Sequence, residues 1–430
     1  MKKVFLTFLF LIFCFPSFAN AEKKLTLFDV IDLSLTNNPQ TKQAWLNVKI
    51  AEHDYKKQKA GYYPEVTATT TYGATEKDYK KDTTDKSYSE YQNSSVSVSY
   101  LLYDFGEREA LVKQYKYQLN AVGYDKNYTL QNLVYTVVDA YYGLFSSIAN
   151  YKATKESEAL SLQSFKAAKL KYKIGLAPLK DKLQAETAYS QSQLDKLKAD
   201  NDVKLKRAKL NYLLNLGPSY KLNLAEPNLK ITKQFDKKIE GLMEEALQKR
   251  PELLSKKQSQ KAYLEKIKNA KRERYPSLSF TASQGYVDDL TKTNSNYDSS
   301  SVGLQLSMPL FGGFSTSNEI AKSKRQLDFV KSEINDLEQN IKYDVWESYQ
   351  NFKTSGETYN TSKKLLKSAK ETEKVTLGMY KNGKASMIDL LDAQSKLADA
   401  KTEFIESQHN WFVTRADLIR AIGSTDLNNK

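Results

Sequence analysis

The residues best placed to do chemistry are two aspartates near the C-terminal end of the chain. Asp389 and Asp392 lie three positions apart, so both carboxylates fall on one face of a helix. A carboxylate pair can act as general acid and base, or it can attract cations at the mouth of a pore. Alternatively, both lie in the first turn of a helix, where the dipole favours acidic side chains. The rest of the chain must decide among these three roles.

Few other residues could support catalysis. The two histidines, His53 and His409, each stand alone in a helical stretch, and the one cysteine is Cys14. The sequence contains no glycine-rich phosphate loop, and two acids on a long helix have no evident substrate cleft. We therefore predict no enzyme activity, no metal site and no cofactor. A periplasmic hydrolase built on Asp389 and Asp392 is the weaker interpretation.

The first 21 residues predict export. Lys2 and Lys3 precede an apolar run from Val4 to Phe15, and Ala19-Asn20-Ala21 has the small residues of a signal-peptidase site. The apolar run is about half the ~20 residues needed to span a bilayer, so residues 1–21 are predicted to be a cleaved signal peptide. Because the only cysteine lies inside this segment, the mature chain must depend on packing for its stability.

The chain is basic but polar. It has 65 Lys and Arg against 51 Asp and Glu, a formal net charge of +14. These residues are spread along predicted helices with no basic cluster in the sequence, which favours solvated helix faces over a nucleic-acid-binding surface. The mean hydropathy is −0.61, and no later run resembles a transmembrane helix. Any membrane insertion must therefore use β-strands, whose alternation a hydropathy average does not detect.

Two copies of one plan make up nearly all of the mature chain. Asn38-Pro39 matches Arg250-Pro251 and Tyr63-Pro64 matches Tyr275-Pro276, both 212 positions apart. Leu102–Phe105 matches Leu310–Gly313, and Tyr172–Gly175 matches Tyr380–Gly383, both at a separation of 208 positions. Leu216-Gly217 ends the first half and Ile422-Gly423 ends the second, at a separation of 206 positions. We assign residues 22–217 and 237–423 to the two repeats, 218–236 to a connector and 424–430 to a C-terminal tail.

Each repeat predicts two strands followed by a very long helix. Period-2 alternation places strands at about 64–73, 94–103, 276–286 and 300–310, with loops at 74–90 and 288–299. One strand face is apolar and the other carries small Ser, Thr and Gly, as expected for a tilted strand between lipid and water. No proline interrupts Gly106 to about Lys173, which gives roughly 100 Å of helix, a rod or tube built on coiled-coil packing.

The strand count itself predicts oligomers. Aromatic residues flank the strand ends on one side, as an interfacial belt requires: Tyr62, Tyr63, Tyr103, Tyr275 and Phe311. Four strands cannot close a barrel, and an open edge in lipid leaves backbone groups unpaired. Two copies would supply eight strands and three copies twelve. The alternative is a secreted or surface coiled-coil rod without a pore, whose strands form a soluble cap.

The whole pattern resembles the TolC family of outer-membrane efflux proteins, from Leu25 to Gly423. Its most specific marks are Tyr-Pro before the first strand of each half, Leu-Tyr-Asp or Leu-Phe-Gly-Gly after the second, and Tyr-Lys-x-Gly-x-x-x-x-x-Asp at the helical turn. The resemblance implies a mixed fold: a homotrimer whose twelve-stranded membrane β-barrel continues as a long α-helical coiled-coil barrel. It implies the passive exit duct of a tripartite efflux or type I secretion system, in the Gram-negative outer membrane with its tunnel in the periplasm. The implied partners are outer-membrane lipid, a periplasmic adaptor (membrane fusion) protein and an inner-membrane transporter, whose docking opens the duct.

The resemblance also assigns the turn residues. It implies that Asp389 and Asp392 form an acid ring at the periplasmic entrance, and that Asp181 and Tyr380 hold the closed state. Gly175 and Gly383 suit a left-handed helix end. Two departures stand out: Ala385 replaces an arginine that makes a second closed-state link in the family, and Gln184 stands where the second repeat has Asp392.

Overall fold

The computed structural model describes residues 24–78, 86–227, 231, 238–291 and 296–424. The predicted signal peptide, parts of the predicted connector and all but one residue of the predicted tail lie outside these residues. The first half comprises α1 (Leu27–Asn37), α2 (Pro39–Lys59), a 3-10 turn (Ala60–Tyr62), β1 (Glu65–Asp78), β2 (Lys86–Tyr103), α3 (Glu107–Lys173) and α4 (Leu179–Leu213). The second comprises α5 (Ile239–Lys249), α6 (Pro251–Arg272), β3 (Ser277–Asp289), β4 (Tyr297–Ser307), α7 (Ser315–Lys381) and α8 (Met387–Ala421).

The four strands form one antiparallel sheet in the order β1-β2-β3-β4. Residues that face each other across the strands share a face, and one such row is Val66, Val98, Ala282 and Val302. The next row is Thr67, Ser97, Ser283 and Ser301. The predicted two-faced sheet is therefore present, with aliphatic side chains on one side and hydroxyl groups on the other.

The strands extend further from the helices than the sequence indicated. The predicted loop at 74–90 is largely strand, since β1 continues to Asp78 and β2 begins at Lys86. The predicted loop at 288–299 is likewise shortened from both sides, whereas β4 ends at Ser307, earlier than expected. Charged and polar residues suggested a loop, but cross-strand pairs such as Glu76 with Tyr88 keep the backbone in the ladder.

The helices repeat the same dimensions. Helices α3 and α7 each contain 67 residues, α4 and α8 each contain 35, and each pair is displaced by 208 positions. A 67-residue helix is about 100 Å long. Among the described residues, no helix is apolar enough over a sufficient length to cross a membrane.

The separation of 206 positions predicted for the ends of the two repeats was wrong. Asn215 and Gly423 both adopt a left-handed backbone, with φ of 57° and 79°. They are 208 positions apart, so the register that starts in the second strands continues to the end of each repeat. The Leu-Gly and Ile-Gly pairs suggested 206 because the first repeat ends its helix with an asparagine, which also tolerates the left-handed region.

Two equivalent cores hold the helices together. In the first half Val30, Leu133, Val137, Tyr141 and Leu210 pack among α1, α3 and α4. The second-half core consists of Leu242, Ile341, Val345, Trp411 and Leu418, with further residues of α6 and α8. Tyr142 and Phe412 stack between the two, with ring centroids 4.3 Å apart, so the repeats pack side by side through α3 and α8.

The start of α2 shows how the repeats have diverged. The Asn38 side chain accepts from the Gln40 amide (2.8 Å) and donates to the Leu213 carbonyl (2.9 Å). At the equivalent position Arg250 donates to the Ala421 carbonyl and forms ion pairs with Glu252 and Asp344. A neutral amide and a buried guanidinium thus perform the same task of tying the end of α4 or α8 to a helix start.

We predict that Asn38→Ala lowers the free energy of unfolding by about 1–2 kcal/mol, because it removes both a helix cap and a donor to a buried carbonyl. The measurement is the thermal midpoint of the helical circular dichroism signal in detergent. The control is Asn37→Ala, at an exposed neighbour, which should leave the midpoint unchanged. Equal midpoints for both variants would contradict the assigned role.

Candidate functional site

The turn after each long helix has one geometry. Gly175 and Gly383 have φ of 77° and 70°. The Gly175 amide donates to the Tyr172 carbonyl and the Leu176 amide to the Lys171 carbonyl, a Schellman motif. Gly383 and Lys384 make the equivalent bonds to Tyr380 and Met379. The structure therefore places both predicted glycines in the left-handed residue that ends each long helix.

Asp389 is part of the helix cap of α8. Its Oδ2 atom accepts from the Ser386 hydroxyl (2.6 Å) and the Ser386 amide (2.9 Å), and its own amide donates to the Ser386 hydroxyl (3.2 Å). This capping box fixes the carboxylate in the first turn. The hydrogen bonds from Ser386 hold the pKa of Asp389 below its usual range. The exposed carboxylate is thus both a structural cap and a persistent negative charge at the turn.

Asp392 lies one turn further along α8. Its exposed carboxylate accepts from Lys396 Nζ at 2.7 Å, an i,i+4 pair on the helix surface. Such an exposed pair contributes little to stability and opens readily to a competing ion. No group of three or more metal-ligating side chains occurs in the part of the chain that the structure describes. The carboxylate pair is therefore a surface charge, suited to attracting cations collectively rather than chelating one.

Asp181 lies near Tyr380, where the two repeats pack at the turn. Tyr380 is buried with Ala168, Ala185 and Leu390, one from each of the other three long helices. Burial raises the pKa of Tyr380, and the nearby Asp181 carboxylate adds to this effect. Lys171 Nζ lies 4.1 Å from the centre of the Tyr380 ring. The structure thus places near each other the two residues that the resemblance singled out as closed-state links.

The two turns differ at the residue that starts the next helix. Ser386 caps α8, but the equivalent position before α4 is Pro178, which provides no side-chain cap. The carboxylate of Asp181 therefore has no capping box to hold it. Ala385, which replaces the family arginine, packs against the buried cluster around Tyr380.

The same turns expose several apolar side chains that the sequence analysis did not single out. Leu176 is 73% exposed, and Leu179, Leu183 and Ile388 are each about half exposed. Leu179, Leu183 and Ile388 line one shallow groove between α4 and α8. A charged rim with an apolar floor is typical of a surface that binds a protein partner.

At the opposite end of the long helices, the predicted aromatic residues lie at the side of the sheet where the strands join the helices, which we call the aromatic edge. Antiparallel order brings the starts of β1 and β3 and the ends of β2 and β4 to the same edge, where Tyr63 and Phe311 are 72% and 77% exposed. Sequence reasoning missed Phe105 and Phe314, which adopt left-handed backbones in the strand-to-helix turns. Phe105 packs against Tyr103 and Tyr275, with centroids 4.8 and 5.6 Å away.

The Leu-Tyr-Asp motif organises this junction. Asp104 accepts from the Arg108 amide (2.8 Å) and from Arg108 Nε (3.0 Å), and so caps α3. Arg108 also donates to the Gly61 carbonyl (2.8 Å) and covers the Tyr62 ring at 5.0 Å. The motif therefore links β2, α3 and the turn before β1.

A second set of aromatic residues lies at the far end of the sheet. Tyr72, Tyr88 and Tyr286 are on the apolar face and are 66%, 56% and 39% exposed. Tyr72 is nine residues from Tyr63, about 30 Å along the strand, or about 24 Å in height at a tilt near 40°. That height matches the apolar band of an outer-membrane barrel, ~25 Å.

Comparisons with known proteins agree with this geometry. The family model described as "Outer membrane efflux protein" matches residues 30–216 and 242–424. The chain is 22% identical to the outer membrane protein TolC of Escherichia coli over 346 residues, 77% of this chain and 69% of that protein. It is 25% identical to the probable efflux pump outer membrane protein TtgC of Pseudomonas putida over 402 residues, 92% of this chain and 82% of that one. The structure also resembles the Campylobacter jejuni CmeC outer membrane channel, with a TM-score of 0.83, 18% identity and coverage of 92% and 85%.

We predict opposite effects for two glycine substitutions in α7 and its turn. A Cβ at Gly383 meets nothing within 4 Å, so Gly383→Ala is opposed only by the left-handed backbone, at about 1 kcal/mol. Gly378 also has open space but lies inside the helix, so Gly378→Ala should stabilise by up to ~1 kcal/mol. Limited trypsin cleavage at Lys381 and Lys384 should be faster in the first variant and unchanged or slower in the second. The same change in both variants would contradict the assigned geometry.

Proposed function

The chain belongs to the outer membrane efflux protein family, and on that premise we propose that three copies assemble into a closed export duct. Members of this family are outer membrane channels and not enzymes, and this chain is an outer membrane efflux channel. The proposal concerns how it is built and gated. One trimer would contain a twelve-stranded barrel in the membrane and a helical tunnel in the periplasm.

The observation that carries the proposal is the exposed apolar face of an incomplete sheet. Val302, Leu304 and Leu306 are 76%, 68% and 69% exposed. Strands β1 and β4 each pair on one side only within the described sheet. In lipid, each unpaired backbone group costs several kcal/mol, so both edges must pair with other copies. Joining β4 of one protomer to β1 of the next satisfies both edges at once.

The polar face favours three copies over two. An eight-stranded barrel has an interior just wide enough to be filled by side chains. Rows of Thr67, Ser97, Ser283 and Ser301 instead leave space and hydroxyl groups for water. A twelve-stranded barrel with such a lining would be a water-filled passage that continues between the long helices.

We place the entrance at the helical turns, the end of the tunnel furthest from the membrane. Three copies bring three pairs of Asp389 and Asp392 to this end, a ring of six carboxylates that attracts cations. Tyr380 is buried between the two helical hairpins of each protomer, with Asp181 nearby, so the packing around Tyr380 opposes separation of the hairpins. Because Ala385 cannot form the family's arginine link, the closed state depends more heavily on the Tyr380 cluster.

The exposed apolar side chains at the turns supply a docking surface for a periplasmic adaptor. Leu176 and the groove formed by Leu179, Leu183 and Ile388 lie beside the Tyr380 cluster. An adaptor that buries these side chains gains hydrophobic free energy where the hairpins must move apart. Docking and opening would thus be coupled through adjacent residues.

The coiled-coil rod is the second candidate function, and two observations oppose it. In a soluble cap, an aliphatic sheet face that is mostly exposed would be unfavourable in water, and aromatic residues at both ends of that face would have no evident role. The family match also includes the strands of both halves, within residues 30–216 and 242–424. We therefore retain only the duct.

We predict that purified protein in a planar bilayer gives stepwise currents that trivalent cations block from the side of the helical turns. Replacing Asp389 and Asp392 by Asn should raise the half-blocking concentration at least about tenfold, because the substitution removes six negative charges from the narrow entrance of the proposed trimer. Since Ser386 lowers the pKa of Asp389, its charge, and its share of the block, should persist as the pH falls below ~3.9, the ordinary value for aspartate.

The matched control replaces Asp32 and Asp54, exposed aspartates on α1 and α2, by Asn. It removes the same charge away from the turns and should leave the block unchanged. Well-folded protein that gives no current would overturn the duct. Normal currents with an unchanged block in the Asp389 and Asp392 variant would overturn only the acid ring.

A further inference from the structure

The excess positive charge of this chain is concentrated where the sheet joins the helices. Four segments meet there: residues 56–63, 104–113, 266–276 and 312–325. Together these 43 residues contain 13 Lys and Arg and 5 Asp and Glu, a net charge of +8 out of +14 for the whole chain. The sequence analysis found no basic cluster because the first and last segments are about 250 positions apart. We call this set of segments the basic collar.

Side-chain contacts show that the collar is one continuous surface. Arg108 of α3 donates to the Gly61 carbonyl, and Arg272 of α6 donates to the Gly106 carbonyl at 2.5 Å. Arg274 donates to the Ser317 hydroxyl at the start of α7 (3.0 Å). The segments extend at most 11 residues into the helices that flank the sheet, about 17 Å at 1.5 Å per residue. The collar therefore lies directly beside the aromatic edge of the sheet.

Four lysines of the collar are available to a ligand. Lys57, Lys59, Lys271 and Lys324 are exposed, and none forms an ion pair with another described residue. Elsewhere in the collar, cations such as Lys113, Lys268 and Lys322 are matched by carboxylates on their own helices. The unmatched charge is thus carried by lysines of α2, α6 and α7, spread around the junction.

We propose that the basic collar binds the anionic phosphodiester headgroups of glycerophospholipids in the periplasmic leaflet. This inference rests on the proposed insertion of the sheet, which sets the collar at the membrane surface. The aromatic edge marks the level of the headgroups. Lys57, Lys59 and Lys271 lie at most six residues from it in sequence, about 9 Å along a helix and within roughly one Debye length, ~8–10 Å, whereas Lys324 lies about 15 Å along α7. A basic residue at an anionic membrane surface contributes about 1 kcal/mol, and several act together. Bound lipid would fix the height of the duct in the membrane and seal the joint between barrel and tunnel.

The test compares two lipids in one reconstituted system. Full-length mature protein is placed in phosphatidylcholine vesicles, and spin-labelled phosphatidylglycerol or phosphatidylcholine is added. The fraction of motionally restricted label gives the relative association of each lipid with the protein. We expect phosphatidylglycerol to be preferred, and we expect high salt to remove most of that preference.

Two variants with the same charge change locate the effect. The collar variant carries Lys57→Gln, Lys59→Gln, Lys271→Gln and Lys324→Gln. The control variant carries Lys353→Gln, Lys364→Gln, Lys367→Gln and Lys374→Gln, at exposed positions of α7 far from the sheet. The collar variant should lose at least about fivefold in preference for phosphatidylglycerol, the equivalent of one basic residue at the surface. The control should retain the wild-type value.

Conductance of the same vesicles distinguishes a failure of the proposed duct from a failure of lipid binding by the collar. If the wild-type protein carries no current, the proposed duct fails. If current is normal but the collar variant keeps its full preference for phosphatidylglycerol, or the control variant loses as much, the collar does not bind anionic lipid. The lipid proposal then fails while the duct stands.

Discussion

An incomplete sheet with two unlike faces is the constraint on which the rest of the structure depends. Its four strands present aliphatic residues on one side and hydroxyl groups on the other. Among the residues that the structure describes, β1 and β4 each keep one unpaired edge. Such a sheet is stable neither alone in water nor alone in lipid. The proposed closure with other copies would resolve both problems, and it would also set the diameter of the passage and the spacing of the helices below.

Duplication makes that closure possible from a short chain. The two halves have strands of the same direction and long helices of equal length, so each copy would contribute two equivalent sectors to the wall of the proposed duct. The halves differ at the residue that starts the helix after each turn. Ser386 holds Asp389 in a cap, whereas Pro178 provides no side-chain cap for the helix that carries Asp181. In the proposed duct, Asp389 is a fixed charge at the entrance and Asp181 belongs to the link that opens.

The sequence predicted the architecture because its strongest signals are local and repeated. Alternation in β1 to β4, the absence of proline from the long helices, and paired Tyr-Pro and Gly positions each identify an element without tertiary information. Gly175 and Gly383 were predictable for the same reason, since glycine suits the left-handed region. Three features were not. Strand pairing extended β1 and β2 into charged residues, non-glycine residues such as Phe105 and Phe314 adopted left-handed backbones, and the basic collar formed from distant segments. Each depends on neighbours that are remote in sequence. The roles of Asp389, Asp392, Asp181 and Tyr380 remain predictions, although the structure places all four at the turns.

The most direct test of the account is the number of chains in the detergent-extracted protein, measured by native mass spectrometry together with single-channel recording of the same sample. The account predicts three copies per particle, extraction only with detergent, and stepwise conductance. A well-folded particle containing one chain, stable in buffer without detergent and silent in the bilayer, would contradict it.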